Sequence, residues 1–258
     1  MKKYLFYSAI LCGALLAGCA EPSLKDGLNG VKFTDIRPMY KEGLIDAQDD
    51  FAAEIVFLTV DVPLNNFAMA DDLWDIIRDD GLVLANSDAF RANGWLAGFG
   101  GKGKWQNFQN FFRQAGCRKA GTTVMMVTPS QPDYVYVSKL SAKTEIFYYA
   151  GKSLVESVSV GAGKTGFKFE LEKVPGARGL AGLSITPFYE TDLPVIQKNQ
   201  VLFKPMKFDV DLSQGEFVLL GPVLYDFQTS RLSGLFFNQP GVVPSVKIYL
   251  ITCRRIIE

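Results

Sequence analysis

Val158-Ser-Val-Gly-Ala-Gly-Lys-Thr165 runs into Gly166-Phe-Lys-Phe-Glu-Leu-Glu172, and the reading of this stretch decides the fold. By its glycines and the pair Lys164-Thr165, the first segment looks like a loop that cradles phosphate. Such a loop needs glycine at its first position, where Val158 stands, and a helix directly after it, whose N-terminus faces the anion. The residues after Gly166 have period two instead, with Phe167, Phe169 and Leu171 set against Lys168, Glu170 and Glu172. Period two marks a half-buried strand. The glycines from Gly161 to Gly166 then read as a hairpin turn, and the chain is expected to bind no nucleotide.

The same pattern extends through the second half. Tyr134–Val137, Glu145–Tyr149, Leu154–Val160, Leu183–Phe188, Phe208–Leu212, Glu216–Leu220 and Ser245–Thr252 are short β-branched and aromatic runs broken by Gly and Pro. These features predict an antiparallel sandwich or partial barrel. The stretch before Pro129 differs. Ile55–Val62, Trp95–Phe99 and Thr122–Thr128 read as strands. Between them, Met69–Asp80 and Trp105–Ala115 carry apolar residues at helical spacing, closed by Gly81 and Gly116. Ser87 is the expected N-cap of a short helix over Asp88–Ala92, ended by Asn93-Gly94. The expected class is α+β. A small α/β unit over 51–128 precedes an antiparallel β-rich unit over 129–258, as two units or one continuous domain.

Composition narrows the function. Of 258 residues 48% are hydrophobic, with 20 Phe, enough for a packed core. Lys plus Arg equal Asp plus Glu at 27 each, so no basic field attracts nucleic acid, and none is expected as a partner. There is no histidine. A Ser-His-Asp triad, a Cys-His pair and any histidine zinc site are therefore excluded. No metal site, cofactor or catalytic residue is expected.

The first residues read as an export signal. Lys2 and Lys3 precede the apolar run Tyr4–Leu15, too short at about a dozen residues to span a bilayer, which takes roughly 20. Leu16-Ala17-Gly18-Cys19 comes next and resembles the lipobox of bacterial lipoproteins. That resemblance implies a diacylglyceryl group on the Cys19 sulfur, cleavage after residue 18, and an address in the cell envelope. Ala20 after the cysteine, in place of Asp, points to the outer membrane. On this reading residues 19–50 form a lipidated tether or irregular arm, and the membrane itself is a partner through the lipid. Cys117 and Cys253 then remain, either as one disulfide or as two separate buried thiols.

Three groups of side chains are candidates for a site. The Gly-rich, basic, aromatic-flanked stretch Gly98–Trp105 is a candidate binding loop, with Trp95, Lys102, Lys104 and Trp105 as its contact residues. Trp95, Trp105 and Phe108 form either a stacking surface for sugars or part of the core. Asp72, Asp75 and Asp79 recur at helical spacing, and a pair of such carboxylates is what a histidine-free glycan hydrolase needs. Asp72, Asp75 and Glu145 are its candidates, although a solvated helix face explains the spacing equally well.

The C-terminal third has its own resemblance. Phe208-Asp-Val-Asp-Leu-Ser-Gln-Gly-Glu-Phe-Val-Leu-Leu-Gly-Pro222, then Leu232-Ser-Gly-Leu-Phe-Phe237, then Val246–Cys253 is similar in order to the end of secretins, the ring proteins of bacterial export machines. Where that family carries Gly-Gly after the second strand, this chain has Gly221-Pro222. The expected role is a lipid-anchored, non-catalytic scaffold or binding subunit for another envelope protein or cell-wall glycan. The alternatives are a carboxylate-dependent glycan-active enzyme, or a lipid carrier with a closed apolar cavity.

Overall fold

The computed structural model describes residues 51–69, 73–75, 77, 81–192, 199–225, 230–239 and 244–258. The expected signal, Cys19 and the arm lie outside these residues.

Two antiparallel sheets pack face to face as an open sandwich, and no barrel closes. The first has the order β3 (Trp95–Gly100), β12 (Phe217–Pro222), β14 (Ser245–Ile257), β1 (Ala52–Pro63), β4 (Arg118–Val127), with β13 (Asn238–Gln239) added on β14. The second has the order β2 (Leu82–Leu84), β11 (Phe208–Ser213), β9 (Leu180–Thr191), β8 (Gly163–Lys173), β5 (Asp133–Leu140), with β10 (Gln200–Leu202) on β9. β6 (Thr144–Tyr149) and β7 (Val155–Val160) form a separate two-stranded hairpin. The α+β, antiparallel β-rich class read from the sequence is the class the chain adopts. Strands from 51–128 and from 129–258 are interleaved in both sheets.

The long run of β1 is mostly apolar because the first sheet is covered on both faces. Ile55 and Phe57 point into the inter-sheet core, while Leu58, Val60 and Val62 meet a second apolar layer. That layer comes from helix α2 (Trp105–Gln114), through Phe108, Phe111 and Phe112, and from Leu73 and Ile77. Gly116, at φ +63°, ends α2 as its sequence implied. β8 alternates as read: Phe167, Phe169 and Leu171 are buried between the sheets. Trp95 lies at the centre of the core, with ring centroids 5.1 Å from Phe236 and 4.8 Å from Phe237. Helix α3 (Leu232–Phe237) is buried along its whole length, and the Tyr249 hydroxyl donates to the Phe236 carbonyl. The secretin-like "Leu-Phe" segment is thus a core helix, and β11 and β12, read as successive strands of one pattern, belong to different sheets.

Two local expectations change. Gly161–Gly166 is not a hairpin turn: β7 pairs with β6, whereas β8 pairs with β5 and β9, so the chain crosses there from one sheet to another. Gly163 and Gly166 lie inside β8, where a Cβ would collide with the carbonyl oxygens of Glu190 and Val135. Close backbone approach, not turn geometry, is what needs glycine there. Helix α1 (Ser87–Ala92) is capped by Asn86, whose side chain accepts from Ala89 N, and not by Ser87. Of the expected helix Met69–Asp80, Met69 ends a 3-10 turn over Leu64–Met69, Leu73 and Trp74 are helical, and residues 70–72, 76 and 78–80 fall outside the described part.

Candidate binding cleft beside the β6–β7 hairpin

A buried amide, that of Asn93, helps hold the hairpin against the sandwich. The Asn93 side chain ends α1 and reaches the outer edge of β6. Its Oδ1 accepts from Tyr149 N at 2.9 Å, and its Nδ2 lies 2.8 Å from Tyr149 O, 2.7 Å from Ala89 O and 3.2 Å from the Met206 sulfur. Further along β6, Phe147 N donates to Ser230 O at 2.9 Å. Alternation sends Ile146 into the core and leaves Tyr148 against Phe203, with ring centroids 5.3 Å apart. It turns Phe147 and Tyr149 to the other face, where Val155 of β7 joins them.

That face forms one wall of a surface cleft of about 570 Å³. Val223, Leu224 and Tyr225 form the opposite wall, fixed by Val223 N donating to Gly94 O at 2.8 Å. The largest exposed apolar side chains of the described residues concentrate here: Phe147 is 42% exposed, Val155 51% and Leu224 73%, with Leu154 beside them. The polar residues are Arg91, Arg231, Asn93, Ser230, Ser233 and the tyrosines, and among the described residues no carboxylate lines the cleft. Tyr148 donates to the Glu156 carboxylate; burial, then that hydrogen bond, pushes its phenol up to about 12. It therefore stays a proton donor at any ordinary pH. The size and the mixture of apolar walls with a few fixed polar groups are those of a recognition site.

The cleft lies at the end of the sandwich opposite to Phe51. β1 begins at Ala52 beside Ile257 and ends at Pro63 beside Ser245. Leu220 pairs with Tyr249 and Pro222 with Trp95, so Val223 and Gly94 sit near the Ser245 end. From there to Ile257 the strand rises roughly 40 Å.

The candidates read from the sequence are dispersed. Trp95 is fully buried and offers no stacking face. Trp105 is half-buried on Phe217, with centroids 6.1 Å apart, and Phe108 is core. Lys102 and Lys104 are exposed on a 3-10 turn that leads directly into α2 at Trp105. Asp75 is exposed, and Glu145 accepts from Ser157 Oγ at 2.9 Å on the outer hairpin face. Asp72 and Asp79 lie outside the described residues. Cys117 and Cys253 are both free and buried, one in the layer under α2 and the other in the inter-sheet core, so the disulfide reading gives way to two separate thiols. Burial pushes them up to about 12 and about 11 respectively. Among the described residues no three His, Cys, Asp or Glu side chains gather as they would around a metal ion, and no helix is long and apolar enough to cross a membrane.

A second cleft of about 450 Å³ opens at the seam of the two sheets, between β1, β4 and β5. Asp61 and Lys247 face each other across β1 and β14 there, and Lys247 Nζ donates to Val137 O at 2.8 Å, tying the sheets together. Burial raises the Asp61 carboxyl and lowers the Lys247 ammonium from their usual values, each partly offset by the other's charge.

Sequence reasoning passed over Asn93, Phe147, Val155 and Leu224. One signal was present: in Glu145-Ile-Phe-Tyr-Tyr149, Phe147 falls on the same side as Glu145, so an aromatic shares the polar face. Compared with known protein families, curated proteins and solved structures, the chain matches none.

Proposed function

We propose that this chain is a lipid-anchored bacterial envelope protein, held at the outer membrane through Cys19, that acts as a non-catalytic binding subunit. It recognises another envelope protein through the cleft beside β6–β7. One observation carries the recognition half of this reading. Exposed Phe147, Leu154, Val155 and Leu224 gather around a cleft whose charged lining, among the described residues, is Arg91 and Arg231. Apolar anchors with arginine are the composition of protein–protein contact sites. Glycan recognition by stacking loses its support, because Trp95 is in the core. The partner surface that fits has apolar side chains and a carboxylate for Arg91.

Metabolic labelling with a palmitate analogue tests the anchor. The full chain takes up label and sediments with membranes, and Cys19→Ala abolishes both. Label that survives Cys19→Ala, or unlabelled soluble protein that retains Met1, overturns the anchor.

A further inference from the structure

The edge of β7 carries information of its own. Phe147 N is bonded to Ser230 O, and both backbone groups of Tyr149 meet Asn93, so residues 147 and 149 turn their polar groups away from β7. Residues 146 and 148 therefore face β7, opposite Val158 and Glu156. By the same alternation, Val155, Ser157 and Ser159 aim their N–H and C=O groups outward. On that side β7 has no further strand among the described residues.

Proteins usually protect such edges. β4 carries Arg118 and Lys119 with a register shift opposite Thr59/Val60; β5 carries Lys139 and a shift between Tyr136 and Ser138; β2 has only three residues. β7, Val155-Glu-Ser-Val-Ser-Val160, has no Lys, Arg or Pro, pairs with β6 without a register shift, and is exposed over most of its length. It is the flat, β-branched edge that pairing favours.

We infer that β7 pairs antiparallel with β7 of a second copy of this chain, about a two-fold axis through Ser157. The outward-facing residues are symmetric about that position. Val155 then meets Ser159 of the second copy, Ser157 meets its own equivalent, and Ser159 meets Val155 of the second copy. Each pair exchanges two N–H···O bonds, giving about six in all. Glu156, the single charge on β7, falls opposite Val158 of the second copy, so no like charges are opposed. Two marginal two-stranded hairpins become one four-stranded sheet. Because the axis is normal to the hairpin, both faces bearing Phe147 and Val155 lie on the same side. The two clefts then form one paired recognition surface.

The test uses the full chain in detergent, with sedimentation velocity at rising concentration. Ser157→Pro removes one outward donor from each copy at a position where an edge strand tolerates proline. Ser157→Ala keeps the donor and loses only the hydroxyl bond to Glu145. Wild type and Ser157→Ala form a dimer, and Ser157→Pro weakens it by roughly thirtyfold or more. A second measurement needs no variant: hydrogen exchange at the amides of 155, 157 and 159 slows as concentration rises. A monomer at every concentration, or a dimer that Ser157→Pro leaves intact, overturns the proposal. So does exchange at these amides that is independent of concentration. The reading of each single cleft stands apart from this outcome, because no cleft-lining side chain is altered.

Discussion

Asn93→Ala removes the amide that joins α1 to β6, and its cost can be worked from the bonds it breaks. Ala89 O keeps a partner, because it also accepts from Asn93 N. Tyr149 N–H and C=O keep none, since both face away from β7 and their bonds run to the lost side chain. Both belong to a half-buried residue, so each orphan costs about 1 kcal/mol, the lower end for a buried group. The side-chain bond to Ala89 O and the packing on Met206 contribute about 1 kcal/mol more, for a total of about 3 kcal/mol. Urea unfolding followed by tryptophan fluorescence reads this, since Trp95 sits in the core. The midpoint falls while the slope with urea holds. Hydrogen exchange at the Phe147 and Tyr149 amides accelerates more than exchange in β14. Asn93→Asp sharpens the test. It keeps an acceptor for Tyr149 N but puts a carboxylate beside two carbonyls, which raises its pKa above the ordinary aspartate value. Its penalty is then full at neutral pH and is relieved as pH falls through that raised pKa. A loss under about 1 kcal/mol for Asn93→Ala contradicts the assigned role.

Other outcomes come from the core, the seam and the thiols. Trp95→Ala costs about 3–5 kcal/mol by emptying the centre of the aromatic cluster. Trp95→Phe costs clearly less, because a ring still fills most of the space and only an indole N–H without an acceptor is lost with it; equal losses in urea titrations contradict this packing. Asp61→Asn takes from Lys247 the charge that offsets its burial, so the ammonium pKa falls further below its usual 10.5. The unfolded chain then holds a proton that the folded one has shed, and stability rises more steeply than in wild type from neutral pH towards 10.5. Urea midpoints with the same pH slope in both proteins rule this out. A maleimide labels neither Cys117 nor Cys253 in the folded state and labels both after denaturation, and reductant leaves the intact mass unchanged; rapid native labelling contradicts the burial of both thiols.

Much of the fold was legible because strand periodicity is local. Phe167, Phe169 and Leu171 against Lys168 and Glu170 set both the element and its inward face, and Trp105, Phe108, Phe111 and Phe112 did the same for α2. Pairing was not legible, since register and sheet membership depend on distant partners. Glycine spacing suggested a hairpin at Gly161–Gly166, while the requirement there was room for the Val135 and Glu190 carbonyls. Trp95 stood beside a Gly-rich basic loop, and only its position under Phe236 and Phe237 shows it to be core. The cleft escaped notice because its walls come from β6, β7, the α1 terminus and the segment after β12, far apart in sequence. Asn93 was legible as a helix stop, but its hold on Tyr149, 56 residues away, was not.

Photo-cross-linking in intact cells bears most directly on the central claim, that the cleft at one end of an anchored sandwich recognises an envelope protein. A photoreactive residue replaces Leu224, in the cleft, or Arg178, near the end where the described chain begins. The account predicts a discrete adduct with a different envelope protein from position 224, its loss on Arg91→Glu, and no such adduct from position 178. Adducts of the same kind from both positions, or none from 224, contradict it.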